Sequence, residues 1–280
     1  MPELHLVPVN GIEMAAWVWP GADPPILFAH CTGFHGRAWD QVAELFPERR
    51  RIAVEFRGHG RSTKHDPPYP WRQFGADLAA LAEAWNLRGA LGVGHSMGGH
   101  STVCAASLRP ETYSALVLVD PTIFSPDRYG TEPPDASFIE RRRNVWASWQ
   151  EMYDRFAPRP HFSRWRPEAL RSYCEFGILP EGDHFVLACP PPIEASVYFQ
   201  SKQPASNLYP EIAGIAQPVT VIRAGKVRGA SEFDLSASPT GVDLASYFPH
   251  SRDVLFEDCW HYVPMEAPER VAAEMGRAHF

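Results

Sequence analysis

Leu91-Gly92-Val93-Gly94-His95-Ser96-Met97-Gly98-Gly99-His100 is the stretch on which the rest of the chain turns. A short apolar run ends at Gly94, and a segment rich in small residues begins at Met97. The run reads as a buried strand and the small-residue segment as a helix. Between them lies Gly94-His95-Ser96-Met97-Gly98, of the form G-x-S-x-G. That pattern alone is weak, and a glycine-rich turn with an idle serine would also fit it. On a strand-to-helix turn, however, it projects the Ser96 hydroxyl clear of the sheet, and the strained backbone there tolerates only small neighbours. Gly94 and Gly98 are those neighbours, and Gly99 lets the helix pack closely. The start of the helix also aims backbone N–H groups at any anion that forms beside Ser96.

Outward from this turn, strand and helix patterns alternate. Ile26-Leu27-Phe28-Ala29, Ile52-Ala53-Val54 and Ser114-Ala115-Leu116-Val117-Leu118-Val119 are further short apolar runs. From Trp71 to Trp85 the apolar positions Phe74, Leu78, Leu81, Ala82 and Trp85 recur at intervals of three and four, a helical period. Strands alternating with helices predict an α/β fold, a mostly parallel, doubly wound sheet with helices on both faces. The pattern breaks between residues 121 and 204, where 14 of the 34 Phe, Trp and Tyr residues fall in 84 of the 280 positions. Prolines such as Pro133-Pro134 and Pro190-Pro191-Pro192 divide this part into short pieces, with helices expected over 137–156 and 167–176. Strand runs resume at Val219-Thr220-Val221-Ile222 and Val254-Leu255-Phe256, and a closing helix follows Ala267. Residues 1–120 and 205–280 therefore read as one core, interrupted by a mainly helical cap at 121–204.

Composition narrows the function. Twenty-six Lys and Arg against 33 Asp and Glu give a net charge of −7, so nucleic-acid binding lacks its basic footprint. Five scattered cysteines, without a CxxC pair, argue against a disulfide framework and a cysteine-rich zinc site. No run of 18 apolar residues occurs, which predicts no spanning helix. The start Met1-Pro2-Glu3-Leu4-His5 lacks the basic and apolar regions of a secretory signal, so a cytoplasmic location is expected. The Arg141-Arg142-Arg143 run lies among acidic residues and reads first as a solvated helix face, with binding of a substrate carboxylate as the alternative.

Four motifs in order now identify a resemblance to the α/β-hydrolase superfamily. They are the serine turn, the loop Phe28-Ala29-His30-Cys31-Thr32-Gly33-Phe34, the loop Arg57-Gly58-His59-Gly60-Arg61-Ser62, and the ending Cys259-Trp260-His261-Tyr262-Val263-Pro264-Met265-Glu266-Ala267-Pro268. The second resembles the family's His-Gly loop, with Cys31 in place of the glycine. The third is similar to its R-G-x-G-x-S loop, preceded here by Glu55 where an aspartate is common. The fourth resembles its G-H-x-x-x-x-E-x-P ending, whose histidine is catalytic. The resemblance implies Ser96 as nucleophile, His261 as general base and acid, and an oxyanion hole formed by the backbone N–H groups of Thr32 and Met97. His95 is expected to pack, His30 to orient its loop, and His35, His59 and His100 to lie at the surface or behind the site.

The orienting acid has two candidate places. Asp120 closes the run Leu116-Val117-Leu118-Val119-Asp120-Pro121 beside the serine strand, a place used in some branches of the superfamily. Asp234 lies nine residues past Gly225, beyond a later strand. Asp120 is preferred, with Asp234 as the alternative. Serine at the turn excludes the mechanisms that place aspartate there. The expected activity is hydrolysis of a small or medium, largely hydrophobic ester or lactone, with Trp146, Trp149, Trp165, Phe138, Phe156 and Tyr173 of the cap forming an apolar pocket. A cofactor-independent dioxygenase or carbon–carbon hydrolase on the same residues, or a ligand-binding member without turnover, stays open. The scheme needs no cofactor and no metal. It expects a small-molecule substrate, no nucleic acid and no membrane, and leaves assembly with a second copy open.

Overall fold

The structure, a computed structural model, describes residues 1–133, 135–226 and 234–278. It opens with strands β1 (Glu3–Val9), β2 (Ile12–Trp19) and β3 (Ala22–Ala29), then helix α1 (Asp40–Ala43), β4 (Arg49–Glu55) and α2 (Trp71–Ala84). The serine strand is β5 (Ala90–His95), followed by α3 (Met97–Leu108) and β6 (Tyr113–Val119). After an excursion, β10 (Val219–Ala224), β11 (Ser251–Phe256), α9 (Val263–Glu266) and α10 (Pro268–Arg277) complete the core. The eight core strands form one sheet in the order β1-β2-β4-β3-β5-β6-β10-β11. β1, β2 and β4 pair antiparallel, and every pairing from β4 to β11 is parallel.

Burial explains the patterns. Every residue of β5 is buried, the mark of a central strand covered on both faces, whereas edge strand β11 alternates between exposed and covered positions. One core layer joins Phe74, Leu78 and Leu81 of α2 to Val103 of α3 and Leu27 and Val54 of the sheet. The opposite layer sets Trp39 and Val42 beside Val271 and Met275 of α10, against Phe28, Val93 and Val117. The N-terminal hairpin was not anticipated, although Asn10-Gly11 marks its turn with φ of 45° and 77°.

Between β6 and β10 the chain leaves the sheet. It forms α4 (Ser137–Glu140), β7 (Val145–Trp146), α5 (Trp149–Phe156), α6 (Pro167–Phe176), β8 (Ile178–Glu181), β9 (His184–Leu187), α7 (Pro191–Gln200) and α8 (Tyr209–Ile212). The helix expected over 137–156 is two helices separated by β7. Ser148 ends the gap, its side chain capping α5 by accepting the Glu151 N–H at 3.1 Å. β7, β9 and β8 form a small antiparallel sheet that the helical expectation for this region did not include. Pro190-Pro191-Pro192, read as a divider, opens α7, because proline fits the first turn of a helix without loss of a hydrogen bond. No helix among the described residues is long and apolar enough to cross a membrane.

α3 is seated against the sheet through glycines. A Cβ on Gly98 would lie 2.1 Å from the Ala29 carbonyl oxygen, and one on Gly94 would lie 2.3 Å from the Gly98 oxygen. Neither contact is relieved by turning a side chain, since both partners are backbone. Gly98→Ala is therefore expected to lower the unfolding free energy by roughly 1–3 kcal/mol, toward the upper end. Urea titration measures this, and an unchanged midpoint would contradict the close approach.

Candidate active site

Ser96 sits between β5 and α3 with φ 56° and ψ −118°, a conformation that L-residues rarely adopt. Such strain persists only where the surroundings over-determine it. Here the Ser96 N–H donates to Val119 O at 3.1 Å, and the Ser96 carbonyl accepts from Gly99, His100 and Thr122 N–H at 3.0, 3.2 and 3.0 Å. The hydroxyl is thereby aimed away from the sheet.

His261 lies in the loop between β11 and α9. Its Nε2 is 2.9 Å from Ser96 Oγ and its Nδ1 is 2.6 Å from Asp120 Oδ2. An ionised carboxylate only accepts, so Nδ1 carries the proton and Nε2 is left to accept the Ser96 hydroxyl proton. Asp120 ends the run of β6 with φ 43° and is fully buried. Its Oδ1 accepts from Ala224 N–H at 3.0 Å, Ser238 Oγ at 2.5 Å and Thr240 Oγ1 at 3.1 Å. Burial pushes this carboxyl up, but His261, Ser238 and the Ala224 N–H outweigh it and hold the group below the ordinary aspartate range.

The structure thus brings Ser96, His261 and Asp120 into one hydrogen-bonded row and leaves Asp234 outside it. Asp234 pairs with Lys226 Nζ at 2.9 Å and accepts from Ser236 N–H at 2.9 Å. It acts on His261 only through the backbone, since the Ser236 carbonyl accepts the His261 N–H at 2.9 Å. Thr32 lies in the loop after β3 and is buried. Met97 is the first residue of α3, where a backbone N–H has no partner within the helix. His30 orients the Thr32 loop: its Nδ1 donates to Cys31 O at 2.7 Å and its Nε2 accepts the Phe56 N–H at 3.1 Å.

Sequence reasoning missed three contributors. Thr122 Oγ1 is 2.9 Å from Ser96 Oγ, and because the serine proton faces His261, Thr122 is the donor. Only its place two residues past the Asp120 strand end hinted at this. His95 does more than pack, since its Nε2 donates to the His261 carbonyl at 2.8 Å. Glu55, noted only as standing where an aspartate is common, is a buried staple that accepts from Trp17 Nε1 at 2.9 Å and from the Arg61 N–H at 2.5 Å. Among the described residues no cluster of His, Cys, Asp or Glu could hold a metal ion.

The aromatic expectation divides. Phe138, Trp146, Phe156 and Tyr173 line a cavity of about 320 Å³, together with Leu235, the chain neighbour of Ser236. Trp149 instead borders a surface groove with Arg171, and Trp165 is packed in the core of the inserted segment, 5.7 Å between ring centres from Phe34.

The sequence matches the alpha/beta hydrolase family over residues 26–274. This chain belongs to that family. It is 36% identical over 271 residues to lipase LipV of Mycobacterium tuberculosis, covering 91% of this chain and 92% of that protein. Among solved structures, E-2-(acetamidomethylene)succinate hydrolase superposes with a TM-score of 0.77 at 20% identity, covering 99% of both chains. The enol-lactonase of Burkholderia xenovorans superposes with a TM-score of 0.71 at 20% identity, covering 98% of both. The fold and family are those of enzymes that act on ester-type bonds.

His35, His59 and His100, expected at the surface or behind the site, are all buried, as are His30 and His95. Burial pushes His35 and His95 down to about 3 and His59 and His100 to about 4, and lowers His30 well below its usual value. On His35, His95 and His100 the Nδ1, and on His59 the Nε2, has no partner, so a second proton there would be stranded. The unfolded chain binds these protons near pH ~6.5, and the folded protein refuses them until far lower pH. Their contribution to stability is complete above ~6.5 and is lost as pH falls toward the folded values, at about 1.4 kcal/mol per pH unit for each histidine. Urea midpoints are expected to drop steeply from pH 7 to 5 and less steeply in His100→Gln. A flat profile would contradict the neutral, buried state of these rings.

Proposed function

We propose that this protein is a serine hydrolase that cleaves a carboxylic ester or lactone through an acyl-enzyme, with residues 121–204 serving as the cap over Ser96. The observation that carries the proposal is the row from Ser96 Oγ through His261 to Asp120, with separations of 2.9 and 2.6 Å. A serine hydroxyl is a poor nucleophile until a base takes its proton. His261 Nε2 takes it as Oγ attacks the carbonyl carbon, and Asp120 keeps the ring in the required tautomer and stabilises the imidazolium. The negative charge that develops on the substrate oxygen falls to the backbone N–H groups of Met97 and Thr32, each such donor being worth roughly 3 kcal/mol. The imidazolium then returns its proton to the leaving alkoxide. In the second half His261 takes a proton from water as the water oxygen attacks the acyl carbon, and returns it to Ser96 Oγ as the carbon–Oγ bond breaks and the acid leaves. Thr122 donates to Oγ throughout, steadying the attacking oxygen while its own proton is drawn toward His261.

The relatives support ester-type chemistry, since their names include a lipase and an enol-lactonase. The aromatic walls of the cavity support a small or medium substrate with an apolar body.

Wild type is expected to turn over 4-nitrophenyl acetate and butyrate, and Ser96→Ala and His261→Ala to reduce kcat to near background. Asp120→Asn is expected to lose roughly 10⁴-fold in kcat by trapping the wrong tautomer. Asp234→Asn should lose little. Equal rates for wild type and Ser96→Ala would overturn the proposal, and a larger loss from Asp234→Asn than from Asp120→Asn would overturn the assignment of the acid.

A further inference from the structure

The aromatic cavity of the inserted segment has an electrostatic character opposite to that of the whole chain. The protein carries a net charge of −7. The cavity lining nevertheless includes Arg142, Arg143, Arg155 and Arg159 and no carboxylate. Two of these guanidinium groups are already neutralised from behind. Arg142 grips Glu194 through Nη1 at 3.0 Å and Nη2 at 2.6 Å, and Arg143 pairs with Glu151 at 2.6 Å. Arg155 and Arg159 make no ion pair among the described residues. The Arg159 guanidinium rests 5.1 Å from the centre of the Phe156 ring, and Arg143 lies 4.2 Å from that of Trp146, so the cations are laid along aromatic walls.

Two chains of contact link the cavity wall to the Ser96 site. In one, Arg142 holds Glu194, whose carboxylate overhangs the Thr32 loop: a Cβ on Gly33 would lie 2.6 Å from Glu194 Oε1. In the other, Leu235 adjoins Ser236, whose carbonyl accepts the His261 N–H at 2.9 Å. A substrate that reaches from Ser96 into this cavity passes apolar rings and meets two arginines that are in no close ion pair among the described residues. A planar carboxylate suits them, because a guanidinium presents paired donors at the spacing of its two oxygens.

We infer that this cavity selects substrates with an apolar body and a carboxylate remote from the bond cleaved, Arg155 and Arg159 being the groups that set the preference. The inference rests on the hydrolase reading of Ser96 and adds the substrate class. Both arginines are open to solvent at the cavity rim, so they act by attraction through a partly aqueous medium, and the preference weakens as salt rises.

The test uses two matched pairs of activated esters that differ by one charge. Mono-4-nitrophenyl glutarate is compared with 4-nitrophenyl 5-oxohexanoate for a carboxylate on the acyl side. 3-Acetoxybenzoate is compared with 3-acetoxybenzamide for one on the alcohol side. The anionic member of at least one pair should have about a tenfold higher kcat/KM at low salt, shrinking toward parity in molar salt. The double variant Arg155→Gln/Arg159→Gln should collapse that ratio, while Arg171→Gln, in the outer groove, should leave it as in wild type. Parity in both pairs, or a ratio that survives the double variant, overturns the inference while Ser96-dependent turnover keeps the hydrolase reading intact. Should turnover persist in Ser96→Ala, the hydrolase reading fails. The anion site is then judged by calorimetric titration of the whole protein with glutarate and with 3-hydroxybenzoate. Heat lost in the double variant supports the site, and no heat in wild type overturns it.

Discussion

The structure depends on how near one helix comes to the sheet. At Gly98 the backbone of α3 approaches the Ala29 and His30 carbonyls so closely that a single added carbon would collide with both. That approach leaves no room for an ordinary turn between β5 and α3. The chain makes the connection through one residue, Ser96, at positive φ. Its hydroxyl is consequently the group that projects from the sheet, and the strain is held by backbone hydrogen bonds with β6, with Thr122 in the loop after it, and with the helix.

A second constraint is the carboxylate of Asp120. Its two oxygens gather, at the end of β6, the last residue of β10, the loop at 238–240, and the ring of His261. A charge buried this deeply is tolerable only when every lone pair is occupied by a donor. The same requirement orients His261, because three of the available directions are already filled. Around this row the neutral histidines act as spacers and tethers: His30 joins the Thr32 loop to β4, and His95 holds the backbone of His261. Their burial suits that work, since a neutral ring offers one donor and one acceptor without the solvation cost of a charge.

The core and the inserted segment play different physical parts. The sheet fixes positions to within the stiffness of parallel strands covered on both faces. The insertion, short-pieced and aromatic, brings its own small core of Trp146, Met152, Trp165 and Tyr173 down onto Phe34 of the Thr32 loop. It also carries the arginines. Charge that the overall composition hides is thereby collected on the wall of one cavity.

Much of this was legible in the residues. The continuous apolar runs at Leu91–Gly94 and Ser114–Val119 announced central parallel strands, since only strands covered on both faces can be apolar throughout. The glycines around Ser96 announced the sharp turn, because no other residue fits. The hairpin at Asn10-Gly11 carried its own turn signal, although the strand pattern read outward from Ser96 did not include it. The insertion was harder: helix and strand periods cannot be told apart in pieces of two to eight residues, so β7, β8 and β9 passed unnoticed. Local chemistry thus determined the fold class, the serine and the histidine, because each is set by neighbours within a few positions. Whether Asp120 or Asp234 meets His261, that Thr122 meets Ser96, and that four arginines share one cavity were decided by tertiary structure alone. These are encounters between residues up to 141 positions apart, and distance along the chain carries no information about which side chains share a proton or a charge.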